Sequence, residues 1–255
     1  MPKVAAEKKP WNWRLWMRGA AWSAVCAGVA WGGVEVRALL DSDSRFALSR
    51  IDVQGAVYAK PERIRAAFAA DLGKSIFALP MAERRLHLLA VDWVRTATVT
   101  RIWPDRVVVT VSERKPVAFA RLPYAGSNRH WLALIDDEGV LLSLPPRVRF
   151  LLPVISGVTE EQTEPQRKTR VESMEHLLLD LGPQAKDISE VNAANVQEMK
   201  VIAEVQGSGY ELWLGDQHFR TRYMNFTSHF GDIRKHSEQA GVFDLRMDDR
   251  ILAKQ

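Results

Sequence analysis

The sequence predicts an α+β chain, with a single N-terminal transmembrane helix ahead of two mixed domains. Three observations carry that expectation. Residues 19–34, GAAWSAVCAGVAWGGV, contain no charge at all. Residues 46–116 open on a short apolar run, continue with helix-spaced apolar positions and end with strand-spaced ones. From Val117 onward short apolar runs alternate with turn residues, broken by two amphipathic helical stretches.

Residues 1–18 form a basic tail, with Lys3, Lys8, Lys9, Arg14 and Arg18 against the single acid Glu7. Trp11, Trp13 and Trp16 are interleaved with them. Indole rings beside cations suit the headgroup layer of a bilayer. The uncharged run spans about 24 Å as a helix, and extending it to Leu40 reaches the roughly 30 Å of a hydrocarbon core. Glu35 and Arg37 then lie near the outer interface, where a charge reaches water. An uncleaved signal anchor over residues 19–40 is therefore preferred to a cleaved signal peptide or a buried helix of a soluble protein. The positive flank puts the N-terminus in the cytoplasm and everything after Leu40 outside. The one cysteine, Cys26, lies inside this run and permits no intramolecular disulfide. The formal charge of +4 is spread over interspersed acids and bases, without an arginine-rich helix or zinc-finger spacing, which argues against nucleic acid as a partner.

In residues 46–116 an apolar strand, Leu48 to Val53, is closed by Gly55, where a residue lacking Cβ turns easily. Pro61 suits the first turn of a helix bearing Ile64, Ala67 and Phe68, which Gly73 ends. Ile76 and Phe77 make a brief extended piece. Pro80 opens a second helix whose buried face is read as Leu86, Leu89 and Ala90. Runs 94–103 and 107–113 are strands joined by Pro104-Asp105, with Val107, Val109 and Val111 on one face. The order is β-α-α-β-β.

That order and the residues at its joints resemble a POTRA domain, and more closely the POTRA domain of the bacterial cell-division family FtsQ, called DivIB in other bacteria. The matching features are V-x-G at Val53 to Gly55, GKSIFAL from Gly73 to Leu79, the leucine-rich second helix and Trp93-Val94. Arg101 to Asp105 (RIWPD) and Glu113 to Ala118 (ERKPVA) complete the set. Gly55, Gly73, Trp103, Pro104, Asp105, Glu113 and Pro116 are assigned to folding of this domain. Trp103 is expected to anchor the sheet to a helix through buried area.

Residues 117–255 read as a mostly antiparallel β domain with flanking helices. Val117 to Leu122 is one strand, and WLALIDDEGVLLSLP is a hairpin about Asp136-Asp137-Glu138-Gly139. Leu152 to Gly157 resembles the L-P-x-I/L-x-G segment that follows this hairpin in FtsQ proteins. A helix through Val171, Met174, Leu177, Leu178 and Leu181 stops at Gly182-Pro183. Strands at 188–191 and 199–205 follow, with Gly207-Ser208-Gly209 leading into 210–214. Phe219 to His236 is an amphipathic helix on which His229 and His236 stand two turns apart, too far to share a metal. Val242 to Ala253 reads as two short strands about Asp248-Asp249. Asp244-Leu245-Arg246 matches the D-L-R that opens the terminal strand pair in the FtsQ family. Met247 replaces the family's usual aromatic, and Arg250 stands where its glycine is expected.

No catalytic signature is present: the chain lacks G-x-S-x-G, H-E-x-x-H and G-x-x-x-x-G-K-[ST]. No cofactor or metal is expected. An edge strand with unpaired backbone groups can instead accept an extended partner segment, and Ile251 to Ala253 is the expected edge. The resemblance implies a non-enzymatic divisome scaffold of the inner membrane, concentrated at the division septum and essential for septum formation. It implies recruitment of the FtsB–FtsL pair of coiled-coil division proteins, with Arg246, Met247, Asp248, Asp249, Arg250, Ile251 and Leu252 facing FtsB. Two other readings compete: a signal-anchored periplasmic cell-wall enzyme using Asp136, Glu138 or Glu113, and a POTRA protein of outer-membrane biogenesis. The latter needs a terminal run of barrel strands, which the helix at 219–236 opposes.

Overall fold

The computed structural model describes residues 17, 22, 23, 28, 29, 31–33, 35, 43–124, 126–237, 239–247 and 250–254. The chain divides into two compact units, Met1–Val91 with Thr96–Ser112, and Asp92–Arg95 with Glu113–Gln255. Residues 17, 22, 23, 28, 29, 31–33 and 35 are helical. Among them Met17, Trp22, Val29 and Trp31 are exposed. The rest of the expected 19–40 span lies outside the described residues, among which no helix is long and apolar enough to cross a membrane.

The first unit is built on strands β1 (Arg50–Gln54), β2 (Val94–Ile102) and β3 (Arg106–Glu113), in the order β1-β3-β2. β1 runs parallel to β3, with Arg50 opposite Arg106. Helices α1 (Pro61–Ala66) and α2 (Met81–Leu89) fall between β1 and β2 in the chain, which completes the β-α-α-β-β order. Ile64, Phe68, Ile76, Leu88, Val107 and Val109 are wholly buried and form this unit's core. Gly55 has φ +81, and a Cβ there would lie 2.1 Å from the Val111 carbonyl oxygen, so no other residue fits the turn. Arg101 stitches the helical segment to the sheet: its Nε donates to the Ile76 carbonyl at 2.6 Å and an Nη to that of Leu79 at 2.9 Å. The Asp105 carbonyl accepts the N–H groups of Ser49 and Arg50. Its carboxylate accepts from the Ser49 hydroxyl.

Several expectations for this unit need correction. α1 ends at Ala66, not at Gly73, because Phe68 leaves helical geometry (φ −108, ψ 5) to bury its ring, and a 3-10 turn at Ala69–Asp71 follows. Gly73 takes a separate left-handed turn at φ +79. Ile76 and Phe77 lie in a turn, and only Ser75 pairs in β fashion, with Ala47. The inward residues of α2 are Met81, Arg84, Leu88 and, as expected, Leu89, whereas Leu86 is 66% exposed and Ala90 is also exposed. The helix is rotated so that Arg84 can pair with buried Asp71, Nε to Oδ2 at 2.5 Å. Trp103 is 67% exposed, so it is not the buried anchor expected of it. Its ring meets only the edge of a small aromatic group, described below.

The second unit is one nine-stranded sheet with two helices. Its strands are β4 (Pro116–Pro123), β5 (His130–Asp136), β6 (Leu141–Leu142), β7 (Val154–Ser156), β8 (Ile188–Asn192), β9 (Met199–Val205), β10 (Ser208–Gly215), β11 (Val242–Asp244) and β12 (Leu252–Lys254). The order is β12-β11-β10-β9-β8-β7-β4-β5-β6. Five of the eight pairings are antiparallel and three parallel. Helices α3 (Glu164–Leu181) and α4 (Phe219–His236) contribute Val171, Met174, Leu177, Leu181, Phe219, Tyr223, Phe226 and Phe230 to the core. Under them runs a continuous row: Ala120, Ile155, Val191, Val201, Leu212 and Phe243 stand opposite one another across six strands. Each is at most 1% exposed. Phe226 of α4 meets Phe243 at 5.0 Å between centroids. The turn between β9 and β10 is Gln206-Gly207, with φ of +53 and +79, so Ser208 and Gly209 already belong to β10. A two-residue hairpin loop of this hand requires positive φ at both positions, which moves the turn one residue earlier than glycine content alone suggests.

Gly55→Ala is expected to destabilise the first unit by roughly 2 kcal/mol or more, from positive φ together with a backbone clash. A urea titration of the full chain in detergent checks this, and an unchanged unfolding midpoint for that unit would contradict it.

Candidate partner-binding edge

The register that aligns the buried row also sets what lies on the other face of the sheet. Because strand side chains alternate, the row beside it is Asn192, Lys200, Trp213, Asp244 and Leu252, again opposite one another from β8 to β12. A third row brings Glu190, Ile202, Glu211, Val242 and Lys254 together. The face away from the core is thus polar and charged around one half-buried indole, that of Trp213.

Cations surround that indole. Lys254 Nζ lies 3.2 Å from the ring centroid, Lys200 Nζ 3.9 Å and the Arg246 guanidinium 5.1 Å. A tryptophan face attracts cations through its quadrupole, so one ring collects side chains from three separate segments. The Trp213 Nε1–H donates to Glu211 at 2.7 Å. Asp244 supplies the countercharge from beneath. It is buried, and it accepts two bonds from the Arg246 guanidinium, at 2.9 and 2.7 Å, and one from the Arg246 N–H. Lys254 Nζ stands 3.5 Å away. Hydrogen bonding from Arg246, reinforced by its charge and that of Lys254, holds the Asp244 carboxyl down at about 2 against the cost of burial. Arg246 also pairs with Glu198 at 2.6 Å.

The result is a pinned edge. β12 is only three residues long and pairs antiparallel with β11, Phe243 opposite Ala253. Among the described residues no strand pairs with its outer side. At the opposite end of the sheet, β6 is two residues long. The expected edge at 251–253 thus falls on a real sheet edge, with β12 starting one residue later.

Of the seven residues expected to face FtsB, the structure brings Arg246 and Leu252 onto this face. Arg246 is committed to Asp244, Glu198 and the Trp213 ring. Leu252 is 42% exposed and Met247 49%. Ile251 packs half-buried against the core, and Arg250 is exposed. Asp248 and Asp249 lie outside the described residues. Sequence reasoning missed Trp213, Lys200, Lys254 and Glu198. One signal was available: Tyr210, Leu212 and Leu214 set the buried phase of β10, which leaves a tryptophan at an outward position.

The acids considered for chemistry have other occupations. Asp136 is fully buried and accepts from Arg114 at 2.7 Å, and from the N–H groups of Glu138 and Val140. Glu138 pairs with Arg114 at 2.8 Å and Arg95 at 3.1 Å, and the Arg114 bond pulls its carboxyl below the usual range. Asp137 holds Arg95 through two bonds. These are the bonds of a hairpin tied to neighbouring arginines. Glu113 ends β3 and Pro116 opens β4. His229 and His236 are exposed, each bonded through Nδ1 to a carbonyl one turn back.

A three-stranded sheet with two intervening helices, followed by a sheet ending in a pinned edge, defines the class: a POTRA-bearing protein with an appended β domain. The family model for a POTRA domain of the FtsQ type matches residues 46–114. The protein named cell division protein FtsQ in Koribacter versatilis is 32% identical over 92% of this chain and 65% of its own length. The protein of that name in Geobacter sp. is 26% identical over 99% of this chain and 93% of its own. For Novosphingobium aromaticivorans the figures are 30%, 91% and 69%. The chain belongs to the FtsQ family of cell-division proteins.

Because the Asp244 pKa is depressed, its contribution to stability is present above its ordinary value of 3.8 and is lost as pH falls toward about 2. The shift corresponds to about 2 kcal/mol. Asp244→Asn is expected to lower stability near pH 7 by that order and to flatten the pH dependence between 4 and 2. Denaturant midpoints measured from pH 7 down to 2 check both, and parallel acid limbs for the two proteins would remove Asp244 from the account.

Proposed function

We propose that this chain is a non-enzymatic, membrane-anchored scaffold of the division machinery, which recruits FtsB/FtsL-type coiled-coil proteins at the septum by adding a partner strand to β12. The observation that carries the reading is the edge itself: a short strand at the end of a nine-stranded sheet, pinned by Asp244 and, among the described residues, with no strand on its outer side. Backbone groups on such an edge supply affinity for an extended segment, and side chains alternating along it supply selectivity. Leu252 and Met247 offer apolar surface beside it. Methionine is flexible and polarizable, so Met247 can fill a partner's pocket in place of the family's aromatic.

Anchoring by residues 19–40, with the N-terminus cytoplasmic and both domains outside, is supported by the basic, tryptophan-rich flank and by the exposure of Met17, Trp22, Val29 and Trp31 on helical backbone. Residues 46–116 then form the membrane-proximal domain and residues 117–255 the recruiting one.

Pull-down from detergent extracts, comparing full-length bait with bait ending at Arg246, tests the reading. Recovery of a small coiled-coil pair by the full-length bait alone is the expected result. Equal recovery by both baits would move the site away from β12, and recovery by neither would overturn the scaffold.

A further inference from the structure

Among residues 43–112, Trp103 is the most exposed aromatic side chain, at 67%. It is not isolated. Its ring stands edge-on to Phe77 at 5.1 Å and to Phe46 at 6.4 Å, and Phe46 and Phe77 are 5.3 Å apart. Phe46 and Phe77 are themselves only half-buried. Exposed Pro104 adjoins them, as do exposed Arg45 and Lys74 on the neighbouring backbone. Of the nearby acids, Asp43 is bonded to Arg45 and Asp105 to Ser49.

The patch has a fixed place in the unit. The Ile76 N–H donates to the Phe46 carbonyl, and the Asp105 carbonyl accepts from Ser49 and Arg50, so all three rings gather where β1 begins. This is also where the chain enters from residues 19–40. From Leu40 to Phe46 the backbone reaches about 20 Å at most, even fully extended. The far end of β1, with Val57 just beyond it, lies about 13 Å further on at strand rise.

From this placement we propose that Phe46, Phe77 and Trp103 form an interfacial foot, which seats the first unit in the headgroup layer of the outer leaflet. The inference rests on the membrane-anchor reading above and adds an orientation to it. Tryptophan with phenylalanine, flanked by cations, is the chemistry that a bilayer interface selects. A short tether makes contact inexpensive, since the anchor has already brought the unit to the surface and a modest apolar gain suffices to orient it.

The test uses the full chain in nanodiscs of phosphatidylcholine and phosphatidylglycerol, in a Cys26→Ser background. Single nitroxide labels are placed through Trp22→Cys, Lys74→Cys or Val57→Cys. The ratio of oxygen to nickel-chelate accessibility reports depth. The anchor predicts a hydrocarbon value at position 22. The foot predicts a headgroup value at position 74, several-fold above that at 57, and its loss to the aqueous value when Trp103→Gln is added with position 22 unchanged. If 22 reads hydrocarbon while 74 matches 57, the anchor stands and the foot is overturned, leaving the patch to a protein neighbour. If 22 reads water, the anchor itself fails. The comparison of 74 with 57 needs no change at Trp103, so a folding defect in Trp103→Gln leaves the test intact.

Discussion

A three-residue strand does not hold itself to a sheet by its ladder alone; few backbone bonds are available to offset the entropy of ordering it. In this protein the deficit is met by Asp244. Its buried carboxylate takes the Arg246 guanidinium in two bonds and faces Lys254 across the strand pair. Lys254 and Arg246 in turn lie over the Trp213 ring, with Lys200 on a neighbouring strand. A buried charge with a single partner would be a liability. Asp244 is instead bonded to side chain and backbone together, so removing the acid would leave Arg246 with Glu198 alone, take a carboxylate from Lys254 and loosen the edge.

That arrangement depends on the register beneath it. Phe243 belongs to the row that runs from Ala120 through Leu212 under α4. A one-residue slip of β11 would turn Phe243 outward and Asp244 into the core, so packing fixes which face Asp244 occupies. Hydrophobic packing thus places the carboxylate, and the carboxylate places the edge.

Much of this was legible in the sequence, because alternation and helical spacing are local. Val107, Val109 and Val111 gave the buried phase of β3, and Phe226 and Phe230 gave the inner face of α4. The D-L-R at Asp244 to Arg246 pointed to the terminal strand pair. What escaped was set by contacts far apart in the chain. Leu86 looked more core-like than Arg84 until Asp71, thirteen residues away, was seen to draw Arg84 inward. Trp103 looked like a core anchor because bulky aromatics usually are, yet its neighbours are the equally peripheral Phe46 and Phe77. Lys200 and Lys254 carry no local signal at all, since only the strand order β12-β11-β10-β9 brings them to one ring.

The two units also differ in the chemistry of their surfaces. In the first, the surface that departs from ordinary globular composition is aromatic and sits where the chain enters. In the second, it is ionic and sits where the described chain ends. An aromatic cluster keeps much of its value at a lipid interface, whereas a network of carboxylates and guanidiniums beside an open strand gains most when a protein segment excludes water from it. The ionic network would act ahead of any strand addition, because an edge already held straight would cost a binding segment less entropy than one that must be ordered on contact.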